Sequence, residues 1–188
     1  MIRRSAAAAV LLFSSLAALA QMPQRRREVA PPPPADAVSV DAIVAALYAS
    51  VSHGPDALPD FERMRAIFLP VGMLVPPKKP SEDIFTTLDV DGFADRARKS
   101  LATRKEKSEA AGFVEREIGR RTDCFGNVCQ IFSAFETRNA VSDEKPVQRG
   151  VNSIQLLRDG RRWWIASVIW DFERPDNPIP SQYLGSGK

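Results

Sequence analysis

The sequence predicts an α+β fold in which N-terminal helices pack on a curved, mainly antiparallel sheet. Three observations predict it. Residues 113–172 carry successive runs rich in β-branched and aromatic side chains. Two tight turns, Gly126-Asn127 and Asp159-Gly160, fold those runs into hairpins. Before residue 112, apolar residues recur at three- and four-residue spacing, the period of helices that bury one face.

The strands come first in the argument because the rest serves them. Phe113 to Thr122 alternates loosely, and Val128 to Thr137 returns along it. Val147 to Arg158 and Arg162 to Phe172 form the second hairpin. That hairpin is dense in apolar residues on both faces, so one face packs on helices and the other contacts a partner copy or closes a cavity.

The helices follow from caps and periodicity. Ser39 caps a helix with Val40, Ile43, Val44, Leu47, Tyr48 and Val51 on one face, ended at His53-Gly54-Pro55 with Gly54 in the left-handed terminal position. Asp60 to Leu69 is a second, shorter helix stopped by Pro70. Met73-Leu74-Val75 reads as a short strand and Ile84 to Val90 as another edge strand. Asp91 caps a third helix with Phe93, Ala97 and Leu101 inward and its basic residues late, the order that suits the helix dipole.

The 188 residues suffice for one domain with a real core. Residues 1–20 have a basic start at Arg3 and Arg4, an apolar run and small residues before Gln21. This is the grammar of a signal peptide cleaved near Ala20, and it predicts a periplasmic or secreted protein with no membrane span after cleavage. Residues 21–37 form a linker with Arg25-Arg26-Arg27 and Pro31 to Pro34, residues 38–183 the domain, and residues 184–188 a flexible C-terminus. Without Arg3 and Arg4 the chain is close to neutral, which speaks against a nucleic-acid partner.

Few residues suggest chemistry. His53 is the only histidine and reads as a helix-end residue. One histidine and two cysteines do not supply a metal ligand set, and no cofactor motif is present, so neither metal nor cofactor is expected. Cys124 and Cys129 flank the Gly126-Asn127 turn and face each other in the closer, non-hydrogen-bonded pairing. They are either a cross-strand disulfide, as export favours, or two buried thiols. Glu136, Arg149, Asn152, Ser153, Gln155 and Asp171 are the polar residues set among the apolar strands, and strand register decides which of them line a cavity. The first five are the candidate ligand-binding residues. Asp60, Asp171 and Tyr48 are the candidate catalytic ones, although Asp60 also reads as a helix cap and Asp171 as a strand end.

The segments DFERMRAIFLP, LDVDGF, FVEREIGRRTDCFGNVCQIFSAFETR and RGVNSIQLLRDGRRWWIASVIWDFE, in this order, resemble the nuclear transport factor 2-like superfamily of cone-shaped α+β domains, over about Val38 to Tyr183. The resemblance implies a cone around a cavity. It does not imply one function, because the superfamily holds isomerases, dehydratases and cyclases as well as non-catalytic pocketed or dimerising domains. Two readings follow. The first is a non-catalytic exported homodimer whose cavity holds a small apolar or amphipathic ligand. The second is a small isomerase or dehydratase abstracting a proton next to a carbonyl, with Asp60 or Asp171 as base and Tyr48 or Arg149 steadying the oxyanion.

Overall fold

The computed structural model describes residues 34–109 and 111–185. The signal-peptide segment, most of the linker and the last three residues therefore lie outside the described residues. Within them the elements run α1 (Val40–Val51), α2 (Phe61–Ile67), β1 (Phe68–Val75), α3 (Val90–Glu106), β2 (Val114–Phe125), β3 (Val128–Arg138), β4 (Gln148–Arg158) and β5 (Trp163–Phe172). The strands form one sheet in the order β1-β5-β4-β3-β2, antiparallel throughout except that β1 runs parallel to β5. Among the described residues no helix is long and apolar enough to cross a membrane.

Each helix starts where a side chain takes up an orphan backbone donor. Ser39 Oγ accepts from Ala42 N at 3.1 Å. Asp60 accepts from Arg63 N at 2.9 Å and so caps α2. For α3 the cap is Asp89, which accepts from Gly92 N at 2.7 Å, and not Asp91 as the sequence suggested. Asp91 lies in the first turn, where it instead pairs with Arg65 at 2.9 Å and ties α3 to α2.

Three boundaries differ from the expected ones, each for a local reason. Gly54 does not close α1 with a left-handed residue; among the described residues the positive-φ glycines are Gly126 and Gly160. The helix ends at Val51 because Ser52 turns extended and His53 enters a two-way backbone bridge with Phe113 (2.7 and 2.8 Å). The second helix stops at Ile67, not Leu69: Pro70 cannot continue it, and Phe68 begins an edge strand where a proline is tolerated. Ile84 to Val90 is no strand. Only Leu88 bridges to Leu74, Ile84 and Phe85 are exposed, and Val90 already belongs to α3.

The core fills the space between helices and the concave sheet face. Ile43, Val44, Met64 and Ile67 from α1 and α2 meet Ile131, Phe135, Ile154 and Ile165 from the sheet. On β3 the odd-numbered residues Ile131, Ser133, Phe135 and Thr137 point inward, and on β4 the even-numbered Asn152, Ile154 and Leu156 do. β2 does not keep one parity. Glu117 pairs with Phe135 but Gly119 pairs with Ala134, so a bulge at Ile118 puts Glu115 and Glu117 on the inner face and then brings Arg120 inward opposite Ser133.

The outer face is partly covered by the chain's own end. Residues 174–184 fold back across it as a terminal strap, burying Ile179 and stacking Tyr183 on Phe132 with ring centroids 5.0 Å apart. At Gly119 strap and sheet come close: a Cβ there would stand 2.5 Å from Tyr183 O. Val128, Leu157 and Ile169 stay exposed. At the start of the domain, Ala37 is buried and accepts from Trp163 N at 2.9 Å, and Asp36 pairs with Arg63 at 2.7 Å.

Candidate functional site

A cavity of about 320 Å³ opens between the concave face, the C-terminal end of α1 and the flank of α3. Its walls are largely apolar. Phe113, Phe135, Trp170 and Phe172 line it from the sheet side, and Leu47, Val51, Phe93 and Ala97 from the helices. Polar groups reach it at a few places only: Glu115, Thr137, Gln148 and Asn152 on the strands, and Arg96, Ser100 and Arg104 at four-residue spacing along α3. His53 also lines it, stacked on Phe113 with centroids 6.0 Å apart and with Nδ1 at 2.8 Å from Gly54 O.

Behind the polar strand residues runs an ordered chain of hydrogen bonds. Ser133 donates its single hydroxyl proton to Glu117 Oε1 at 2.5 Å. Its oxygen must then accept from the Tyr48 phenol, 2.7 Å away. Tyr48 Oη in turn accepts from Asn152 Nδ2 at 3.2 Å, and the same amide donates to Glu115 Oε1 at 3.2 Å. Glu117 is further held by Arg120 at 2.9 Å, and Arg120 reaches Asp41 of α1 at 3.0 Å. Burial first and the Glu115 charge second push the Tyr48 pKa upward, so the phenol stays a neutral donor.

Among the described residues Glu115 has no cation of its own. Its backbone N donates to Ser52 Oγ at 3.0 Å, which fixes it against the end of α1. The side chain is half-buried by accessible area because the cavity admits solvent, yet desolvation pushes its pKa from the ordinary 4.5 up to about 7, with only the Asn152 amide opposing. A carboxyl poised there can act as acid, base or hydrogen-bond donor near neutral pH.

The structure separates the residues singled out in the sequence. Asn152 lines the cavity, and Tyr48 sits behind it. Glu136, Arg149, Ser153 and Gln155 belong to the outer face. Glu136 is buried there between Arg116 (2.6 Å) and Arg138 (2.8 Å); although burial works the other way, those guanidiniums hold its carboxyl below the ordinary range. Arg149 pairs with Glu173 at 3.1 Å, and Ser153 accepts from Gln130 at 2.9 Å. The hydrogen bond from Arg174 holds Asp171 below its ordinary pKa, in a second, outer depression of about 310 Å³ beneath the strap that Ser153 also lines. Asp60 lines neither space. Cys124 faces Cys129 with Cα atoms 4.1 Å apart and sulfurs at bonding distance, in the narrow pairing expected.

Arg96, Ser100, Arg104, Glu115, Thr137 and Gln148 are the polar cavity residues that sequence reasoning missed. Glu115 sits in VEREIGRR, which reads as a solvated strand; only the bulge at Ile118 shows that its glutamates turn inward. Among the described residues no group of three or more His, Cys, Asp or Glu side chains is placed to hold a metal ion.

No protein-family model and no curated protein matches the chain. Solved structures do. A nuclear transport factor 2-like protein of unknown function from Silicibacter pomeroyi is 14% identical, with 72% of this chain and 94% of that one covered and a TM-score of 0.45. A second, from Shewanella baltica, is 18% identical over 71% of this chain and 93% of that one, with a TM-score of 0.45. The β subunit of a benzoate 1,2-dioxygenase from Burkholderia mallei is 14% identical over 77% and 97%, with a TM-score of 0.47. Nuclear transport factor 2-like proteins are among the solved structures this chain is similar to.

Proposed function

We propose that the protein is an exported domain that binds a small, largely apolar molecule in its concave cavity and performs no chemistry on it. One observation carries the reading: a space of about 320 Å³ with aromatic and aliphatic walls and a few convergent polar groups, the form that small-molecule sites take. Export is supported by the signal-peptide grammar of residues 1–20 and by the facing cysteines, which an oxidising compartment would keep joined. A homodimer is part of the proposal, formed through the outer-face residues the strap leaves open, Val128, Leu157 and Ile169.

Native mass spectrometry of the protein isolated gently from its own host tests all of this. The expected species is a dimer lacking residues 1–20 and retaining a small molecule. An empty species under conditions that preserve weak complexes overturns the binding reading, and a monomer overturns the dimer.

A second reading is favoured by Glu115 alone. Its carboxyl, held near neutrality inside an apolar cavity, suits proton abstraction next to a carbonyl, the role for which Asp60 and Asp171 lie in the wrong places. Solvent-deuterium incorporation into the retained molecule, lost in Glu115→Gln, would replace the non-catalytic reading with this one.

A further inference from the structure

We propose that the cavity is selective for a small apolar monocarboxylic acid, whose carboxylate is received by Arg104 while its body lies against Phe113, Phe135, Trp170 and Phe172. This inference rests on the cavity being a binding site and adds the chemical class of what it takes.

Arg104 is the observation that carries it. Its guanidinium has five N–H donors. One, Nη1, makes a long bond of 3.3 Å to Ala111 O, and Nε is buried with no partner among the described residues. Arg63, Arg65, Arg116, Arg138 and Arg149 each meet a carboxylate within 3.1 Å. Arg120 and Arg162 also have a buried Nη1 without a hydrogen-bond partner among the described residues, but Arg120 is held by Glu117 and Arg162 by Ala66 O at 2.6 Å, and neither lines the cavity. A partly buried cation with idle donors on the wall of an apolar space is costly unless an anion completes it. Ser100 and Arg96 lie on the same flank of α3, one and two turns nearer its start, so the polar end of the site is a stripe along that helix.

The same cavity decides the kind of anion. Glu115 also lines it, so a doubly charged phosphate would meet a like charge in a small, weakly screened space, whereas a monoanion meets less repulsion. A planar carboxylate also matches the planar guanidinium fork. The remaining walls offer the ligand's body little but hydrocarbon and aromatic surface, and a volume near 320 Å³ limits that body to a single ring or a short chain.

Isothermal titration of the purified native protein at pH 7 with hexanoate and 4-phenylbutyrate, each beside its primary alcohol, tests this. Each acid is expected to bind about tenfold or more tighter than its alcohol. Arg104→Gln should erase that margin while leaving the alcohols' affinity alone, and Arg104→Lys, which keeps the charge without the fork, should retain part of it. Equal binding of acids and alcohols, or a margin that survives Arg104→Gln, overturns the acid selectivity and leaves the cavity reading standing. Should Arg104→Gln fail to fold, the wild-type comparison and Arg104→Lys still decide. If neither class binds, or if binding is unaffected by Ala97→Phe, which fills the cavity, the cavity reading falls and the selectivity with it.

Discussion

The side-chain amide of Asn152 donates to two acceptors at once, Tyr48 Oη and Glu115 Oε1, each at 3.2 Å. One residue of β4 thereby joins the buried phenol of α1 to the cavity carboxyl of β2. Glu115 rests in this arrangement without a cation, and its protonation is therefore linked to the stability of the fold.

The sign of that linkage follows from the direction of the shift. With a native pKa of about 7 against an ordinary 4.5, the folded state binds more protons than the unfolded state between those values. Stability contributed by this group is therefore greatest below about pH 4.5 and declines as the pH rises through 7, a loss on the order of 3 kcal/mol once the carboxyl is charged in both states. Glu115→Gln should be more stable than wild type at pH 8 and should converge with it near pH 5, read as the difference in urea midpoint. A difference that does not vary with pH would mean that Glu115 is not held in its neutral form.

Asp60 and Asp171 should give results unlike those of Glu115. Asp60→Ala removes the cap of α2 and is expected to lower stability by about 1 kcal/mol with ligand retention unchanged. Asp171 pairs with Arg174 on the outer face with both side chains about half-exposed, so Asp171→Asn should change stability by no more than about 0.5 kcal/mol. Ligand retention in native mass spectra checks both, and its loss in either variant would move the site away from the concave face.

The hairpin cysteines make a prediction that needs no ligand. Thiol titration of the unfolded, unreduced protein should find none free. The bridge closes a loop with a sequence separation of 5, so replacing both cysteines by serine should cost about 2 kcal/mol in the chain-entropy account. Two titratable thiols would refute the bridge and weaken the case for an oxidising compartment.

Local chemistry in the chain made much of the fold legible. Gly126 adopts φ +57°, and the Gly126-Asn127 turn sets Phe125 opposite Val128 and Cys124 opposite Cys129, as the two-residue loop implied. Ser39 starts α1, and on α3 Leu101 is buried and Phe93 and Ala97 partly so, as the period indicated, although the most buried residue there, Ala94, is not one of them. What stayed hidden depends on distant partners. Only the Met73-Leu74-Val75 end of β1 was legible; the strand begins at Phe68 because it lies parallel to β5, almost a hundred residues later, with Phe68 opposite Ile165, and nothing within FLPVG reports that neighbour. The inward turn of Glu115 depends on a single extra residue in β2, and an alternation pattern in a Glu- and Arg-rich strand cannot reveal a bulge. The candidate ligand residues Glu136 on β3 and Arg149, Ser153 and Gln155 on β4 share a face that proved to be the outer one, whereas Asn152, one step out of phase with its β4 neighbours, reached the cavity.

The strap has a consequence for the order in which the molecule is completed. Tyr183 and Leu184 come after all five strands in the chain, yet they cover Phe132 and Gly119, on the outer face at the β3–β2 edge of the sheet. While the polypeptide is being made and moved, the sheet can form before its cover exists. For that interval the protein carries a temporary sticky patch, which a chaperone or a second nascent copy would meet before the mature surface is finished.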